Sequence, residues 1–221
     1  MKFLQMLCLS AVLLMGCTSC EHRPVKTASK EKCASKIVER STAGFGTCNW
    51  RLRVRVDMWF TPVEADEIGQ AMLNWSKASG GRICFDIEWV SMCQDQEKRR
   101  WLGDGVTTLY AGLDAWHRPA ATQGTCKPPA RCSAVTIWSV TGQEPDVFYF
   151  LPRRRDYFLT LTEHELGHVL GMSHDPDKDA LMNAGVGIGT HIGEADLRTL
   201  RCLMKNGKVG VHDNPCRHED K

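Results

Sequence analysis

Hydrophobic and polar residues alternate without a break over Trp50–Met58. Leu52, Val54, Val56 and Met58 fall on one side, Arg51, Arg53, Arg55 and Asp57 on the other. A period of two predicts a half-buried β-strand, and its arginine side reads as a solvated face rather than a nucleic-acid surface. The period then lengthens. Ile68, Met72 and Trp75 recur at helical spacing, Thr61 stands where a cap belongs, Pro62 suits the first turn, and Glu64 completes a Thr-x-x-Glu capping box. Gly80-Gly81 ends the helix. Alternation returns in "RICFDIEWV", with Ile83, Phe85, Ile87 and Trp89 on one side. Strand, crossover helix and strand in succession predict a parallel pair. Gly105–Leu113 reads as a third strand and Asp114–Ser133 as a Pro/Gly/Thr-rich loop. "AVTIWSV" and "DVFYFL" are two more strands. From about Tyr157 through Leu170 the pattern is helical. Near the end, "EADLRTLRCLM" is amphipathic through Leu197, Leu200 and Leu203, with Gly207 as its stop.

The first part of the chain lacks this patterning. Lys2 precedes an apolar run, Phe3–Met15, too short to span a bilayer as a stable helix but suited to an export signal. The run ends in "LMGC", Leu14 to Cys17, which resembles the lipobox of bacterial lipoproteins, with Met15 where Ala or Ser is commoner. That resemblance implies a signal peptide over 1–16, lipidation of Cys17, and an outer-membrane destination, because Thr18 rather than Asp follows the cysteine. An ordinary secretory signal cut nearby is the alternative. Residues 17–47, rich in Lys, Arg, Glu and Ser, read as a lipidated tether, and 48–221 as the folded domain.

A length of 221 residues suits one main domain with an appendage. The formal net charge of +2 gives no global pull toward nucleic acid. There are eleven cysteines; with Cys8 lost in the signal and Cys17 lipidated, an odd number remains, as an oxidising compartment with one unpaired thiol would have it. Short separations suggest Cys84–Cys93, Cys126–Cys132 and Cys202–Cys216.

"TEHELGHVLGMSHD", Thr162 to Asp175, concentrates three of the eight histidines. On a helix, His164 and His168 share a face, and two imidazoles at that spacing can bind one metal. Glu165 reaches the open side of the same metal. Gly171 can take a left-handed conformation, turn the chain out of the helix and let His174 return as a third ligand. Three neutral nitrogen ligands leave a fourth position for water, the arrangement of catalytic rather than structural zinc.

HExxHxxGxxH with a following Met-turn is the metzincin signature. "ALMN" puts Met182 eight residues after His174, a spacing that resembles matrixins, the matrix-metalloproteinase family. "AMLNWSKASG", "ICFDIEWV" and "IGEADLRTLRCLM" also resemble segments of their catalytic domain, so the likeness runs from about Trp50 to Lys205. It implies an α+β, metzincin-like fold: a five-stranded mixed sheet, an active-site helix and a small C-terminal subdomain. It further implies one catalytic Zn2+ on His164, His168 and His174, Met182 as an apolar floor, Glu165 as general base, and a polypeptide substrate cut by an endopeptidase acting as a monomer. Three departures stand out. "NAGVGIG", Asn183–Gly189, replaces the usual wall segment after the Met; His117 alone stands where a second, structural zinc would need several histidines; and Asp175 after the third histidine is more like adamalysins. Asp104, Asp114 and Asp146 are candidate calcium ligands, with nothing to select among them. Cys20 or Cys33 is a candidate inhibitory thiol, but the usual Pro-Arg-Cys-Gly context is absent and pairing with Cys48 is the plainer role. The rival readings are a zinc amidase acting on cell-wall peptides and a metal-binding surface lipoprotein without turnover.

Overall fold

The computed structural model describes residues 36–44, 47–91, 104–113, 133–138, 144–150, 155–185, 190–212 and 215–216. Six strands form one mixed sheet: β1 (Lys36–Ala43), β2 (Trp50–Asp57), β3 (Ile83–Ser91), β4 (Thr107–Leu113), β5 (Ala134–Ile137) and β6 (Asp146–Phe150), in the spatial order β1-β3-β2-β4-β6-β5. The expected parallel pair is present. β2 and β3 run side by side from Trp50↔Ile83 to Asp57↔Val90, joined by helix α1 (Pro62–Ala78). The Thr61 hydroxyl accepts from the Glu64 amide, and the Glu64 carboxylate accepts from the Thr61 amide at 2.7 Å, so the capping box is closed. β4 and β6 continue the parallel core, while β1 and β5 are antiparallel edges.

The sheet thus has six strands where five were expected, and β1 begins inside the stretch read as tether, ahead of residue 48. The reason it escapes sequence reading is physical. Glu39, Arg40, Ser41 and Thr42 are all exposed, so the strand has no apolar alternation to display. Backbone pairing to β3, from Lys36↔Ser91 to Ala43↔Phe85, holds it, helped by the Arg40–Glu88 ion pair and the Trp89 indole donating to Ser41. Charged side chains on such a strand also deter pairing with foreign edges.

Val54, Val56, Ile83, Phe85 and Ile87 are buried together against Ile68, Met72 and Trp75 of α1 and Leu166, Val169 and Leu170 of the second helix, α2 (Phe158–Val169). A smaller apolar cluster, Val90, Tyr110, Phe148 and Phe150, covers the other face at mid-sheet, with Tyr110 and Phe148 stacked at 4.8 Å. Two positions depart from the alternation. Met58 lies beyond the strand end and is 49% exposed, and Asp57, on the polar side by pattern, is fully buried. Its carboxylate accepts the Trp59 amide at 3.1 Å and the Ala111 amide at 3.4 Å, tying the β2–α1 turn to β4.

Helix α3 (Glu194–Lys205) closes the C-terminal part and is fastened by Cys202–Cys216, as expected from spacing. Cys84, by contrast, pairs with Cys48 and not with Cys93. Cys48 precedes β2 and Cys84 opens β3, so the parallel register brings them together. Cys93 itself lies outside the described residues, and the bond to Cys48 leaves Cys84 unavailable to it. The same bond removes Cys48 as a partner for Cys20 or Cys33. Those two cysteines, Cys17, Cys126–Cys132, Asp114 and His117 lie outside the described residues.

Candidate active site

α2 follows a single 3-10 turn, Arg155–Tyr157, and is buried on nearly every side: Phe158, Leu161, Leu166 and Val169 enter the core, and even Thr160, Thr162 and Glu163 are enclosed. A helix enclosed all round can carry polar residues only where their groups find partners. His164 and His168 do so in the same way. His164 Nδ1 meets the Leu181 carbonyl at 2.7 Å and His168 Nδ1 the Met172 carbonyl at 2.8 Å. A ring nitrogen facing a carbonyl carries the proton, so each Nε2 is left with a free lone pair. His168 Nε2 lies 3.2 Å from His174 Nε2, and the ligand atoms of His164, His168 and His174 lie within 4.8 Å of one another. Burial, with His164 close by, lowers the His168 pKa to about 3 and that of His174 in the same direction. Neutral imidazoles with converging lone pairs are the donor set that zinc takes, and the residues fit that ion.

The return of His174 depends on Gly171. Its φ is +95°, and a Cβ there would stand 2.7 Å from the Val211 carbonyl oxygen, so both backbone shape and space require glycine. The amides of Gly171 and Met172 bond back to His168 and Gly167, ending the helix. The segment after His174 folds into a turn under the site. Asp175 N donates to the Met182 carbonyl at 2.9 Å, and Asn183 Nδ2 to the Asp175 carbonyl at 3.1 Å. Met182 is 1% exposed and seated against Gly167, where any Cβ would collide with its sulfur.

Asp196, in the first turn of α3 and 1% exposed, accepts the amides of Leu181 at 3.2 Å, Met182 at 3.1 Å and Gly193 at 2.8 Å. It was not singled out in the sequence, although a carboxylate three residues after a capping glycine is a readable sign of an N-terminal cap. Thr136 on β5 was missed too. Its hydroxyl donates to Glu165 Oε2 at 2.6 Å, across 29 residues of sequence that offer no signal. Glu165 is 4% exposed, next in sequence to His164 yet outside the metal-binding group. Burial pushes its carboxyl above the ordinary range, opposed by His164 and by the Thr136 hydrogen bond. Of the calcium candidates, Asp104 pairs with Arg55 at 2.5 Å and Asp146 accepts the Thr108 amide at 3.0 Å. Among the described residues, only the three histidines group in a way that suits a metal.

Comparison with known proteins bears on the family of the chain. The family model for matrixin matches residues 60–199, well over half of the chain. No curated protein matches the sequence. Among solved structures, the chain is similar to archaemetzincin from Methanopyrus kandleri, with 14% identity over 71% of this chain and 96% of that one, at a TM-score of 0.44. It is also similar to high choriolytic enzyme 1, a hatching enzyme zinc-protease from Oryzias latipes, with 13% identity over 59% of this chain and 54% of that one, at a TM-score of 0.30. Both likenesses are too loose to carry residue roles across.

Proposed function

The chain belongs to the matrixin family, zinc metallopeptidases of the metzincin type, and from that premise we infer that it is an endopeptidase cutting extended polypeptides, with Glu165 as its general base. The observation that carries this reading is the separation of roles at the site. Three histidines converge as ligands, and one carboxylate stands beside them, buried and held, without joining them. A purely structural metal site has no need of that carboxylate.

His164, His168 and His174 would hold the ion. Zinc held there would supply Lewis acidity, to polarise a carbonyl and to make a water molecule easier to deprotonate. Glu165 Oε1 is the oxygen that Thr136 does not engage, and it is the one available to accept a proton from the attacking water and pass it to the leaving amine. Burial raises the pKa of this carboxyl, so it takes a proton more readily than an ordinary carboxylate does. Substrate alignment is supported by β5, a four-residue edge strand whose Thr136 touches Glu165. An extended peptide can add to such an edge by backbone pairing, close to the base.

The test is digestion of a generic unfolded protein with and without a chelator, for wild type and Glu165→Gln. We expect chelator-sensitive internal cleavage by the wild type. The variant should keep its zinc and lose turnover by roughly 10²–10⁴-fold. Near wild-type cleavage by Glu165→Gln would refute the mechanism. Cleavage confined to cell-wall peptides would favour the amidase, and zinc without cleavage of either kind the surface binder.

The envelope location rests on "LMGC" alone: a monomer anchored through lipid on Cys17, outside the described residues. In a bacterial host fed labelled fatty acid, wild type should take up label and Cys17→Ser should not; equal labelling would refute the anchor.

A further inference from the structure

A cavity of about 320 Å³ lies between the last turns of α1, the middle of α2 and the segment that leads into α3. Asn74, Glu163 and His191 supply its polar wall; Ala78, Ile192 and Leu197 supply its apolar wall. None of His164, Glu165, His168 and His174 lines it. We propose that this cavity is a second binding site, separate from the metal centre, for an aliphatic amine or guanidine whose cationic head meets Glu163. The claim goes beyond the peptidase reading and does not depend on it.

The Glu163 side chain is 1% exposed, yet only one of its oxygens is satisfied. Oε1 accepts from Asn74 Nδ2 at 2.5 Å. Oε2 is buried and has no hydrogen-bond partner. Asn74 is engaged at both ends of its amide, since its Oδ1 accepts from Gln70 Nε2 at 2.7 Å. The His191 imidazole faces Oε2, but Nδ1 stands 3.9 Å away, too far for a direct bond. A buried carboxylate oxygen without a donor is destabilising, and native proteins rarely leave one so.

The geometry describes what is missing. A nitrogen at about 2.8–2.9 Å from both Oε2 and Nδ1 fits a 3.9 Å gap, with N–H groups pointing to each. One water would also fit the gap, but the cavity extends well beyond it, and Ala78, Ile192 and Leu197 offer that water no further partners. They suit an alkyl chain. A cationic nitrogen on a short aliphatic stem satisfies both parts, as in alkylamines, alkylguanidines and the side chains of lysine and arginine. The His191 side chain, 71% exposed, is the group that swings aside to admit the cation to the buried oxygen. Lys77 also borders the cavity, but it is exposed, and its ammonium can turn to water while its stem adds apolar wall.

A reporter is built in: the Trp75 indole N–H donates to the Glu163 carbonyl at 2.8 Å. Full-length, zinc-loaded protein labelled with ¹⁵N at the tryptophan indoles would be titrated with n-butylamine, butylguanidine and, as the uncharged control, n-butanol. We expect one indole resonance to shift saturably with the two cations and not with butanol. Glu163→Gln, which keeps shape and removes charge, should weaken that binding by roughly 10- to 100-fold. No saturable shift in wild type, or equal affinity in Glu163→Gln, overturns the proposal. If Glu163→Gln does not fold, Ala78→Phe fills the cavity from α1 and must abolish the shift; an unchanged shift overturns it equally. The two sources of the cation separate in one further arm. If butylguanidine competes with cleavage of Lys- and Arg-containing substrates, the site holds a substrate side chain. If it saturates without affecting cleavage, the site takes a free ligand. Binding is read without turnover, so an inactive protein would still answer the question.

Discussion

Thr136 is the smallest group on which the proposed chemistry depends. Its hydroxyl is the hydrogen-bond donor to Glu165 Oε2, and the carboxylate is otherwise enclosed. Without that bond the carboxylate can rotate away from the histidines. Thr136→Val keeps the shape of the β5 side chain and removes the donor, so turnover should fall about tenfold, the equivalent of one hydrogen bond. Zinc content should stay that of wild type, because no ligand is touched, and Thr136→Ser should restore the rate. Equal activity of the Val and Ser variants would show that the hydroxyl does not position the base. The metal ligands behave differently at this scale. Two of the histidines are fixed by groups outside themselves, His164 by the Leu181 carbonyl and His168 by the Met172 carbonyl. Orientation of those two is therefore a property of the turns after α2 as much as of α2.

At the scale of elements, α3 and the Met182 turn act as one unit through Asp196. Its carboxylate takes three buried or half-buried amides, two of them in the turn that contains the carbonyl bonded to His164. Asp196→Ala should lower stability by about 2–3 kcal/mol, since several donors lose a charged acceptor at once, and should weaken zinc binding as the Leu181 carbonyl moves. Urea unfolding and competition with a coloured chelator would measure the two effects. Unchanged zinc affinity would show that the turn holds itself. These couplings also explain what sequence made legible. The four-residue step from His164 to His168 is a helix face and Gly171 a helix stop, so the ligand set could be read directly. β2, α1 and β3 announce themselves because each buries a single periodic face. Thr136 and Asp196 act on residues 29 and 14 or 15 positions away, and only the folded chain brings them there. β1 stayed hidden because an edge strand with four exposed side chains is held by backbone pairing, which leaves no trace in hydropathy. Cys48–Cys84 was missed because spacing along the chain favoured Cys93, while the parallel register decided otherwise.

For the whole molecule, a metal held by the three histidines would tie α2 to the segment that carries His174, so its removal should be felt globally. Zinc binds the folded ligand set far better than the unfolded chain, so chelation should lower the melting temperature and one equivalent of zinc should restore it. Elemental analysis after dialysis should give one zinc per chain, and a melting temperature indifferent to chelator would argue against a preformed site of three ligands. A final consequence follows from β1, in mechanical terms. When the chain is held by its N terminus, tension enters the sheet at Lys36, the outer end of an antiparallel edge strand. Pulled there, β1 can peel from β3 a bond or two at a time until the load reaches Cys48, which is joined covalently to Cys84 at the root of β3. The strand then serves as a short extensible leash and the disulfide as its stop. Tension that has stripped β1 then passes through the disulfide into the root of β3 rather than directly into the helix that carries His164 and His168.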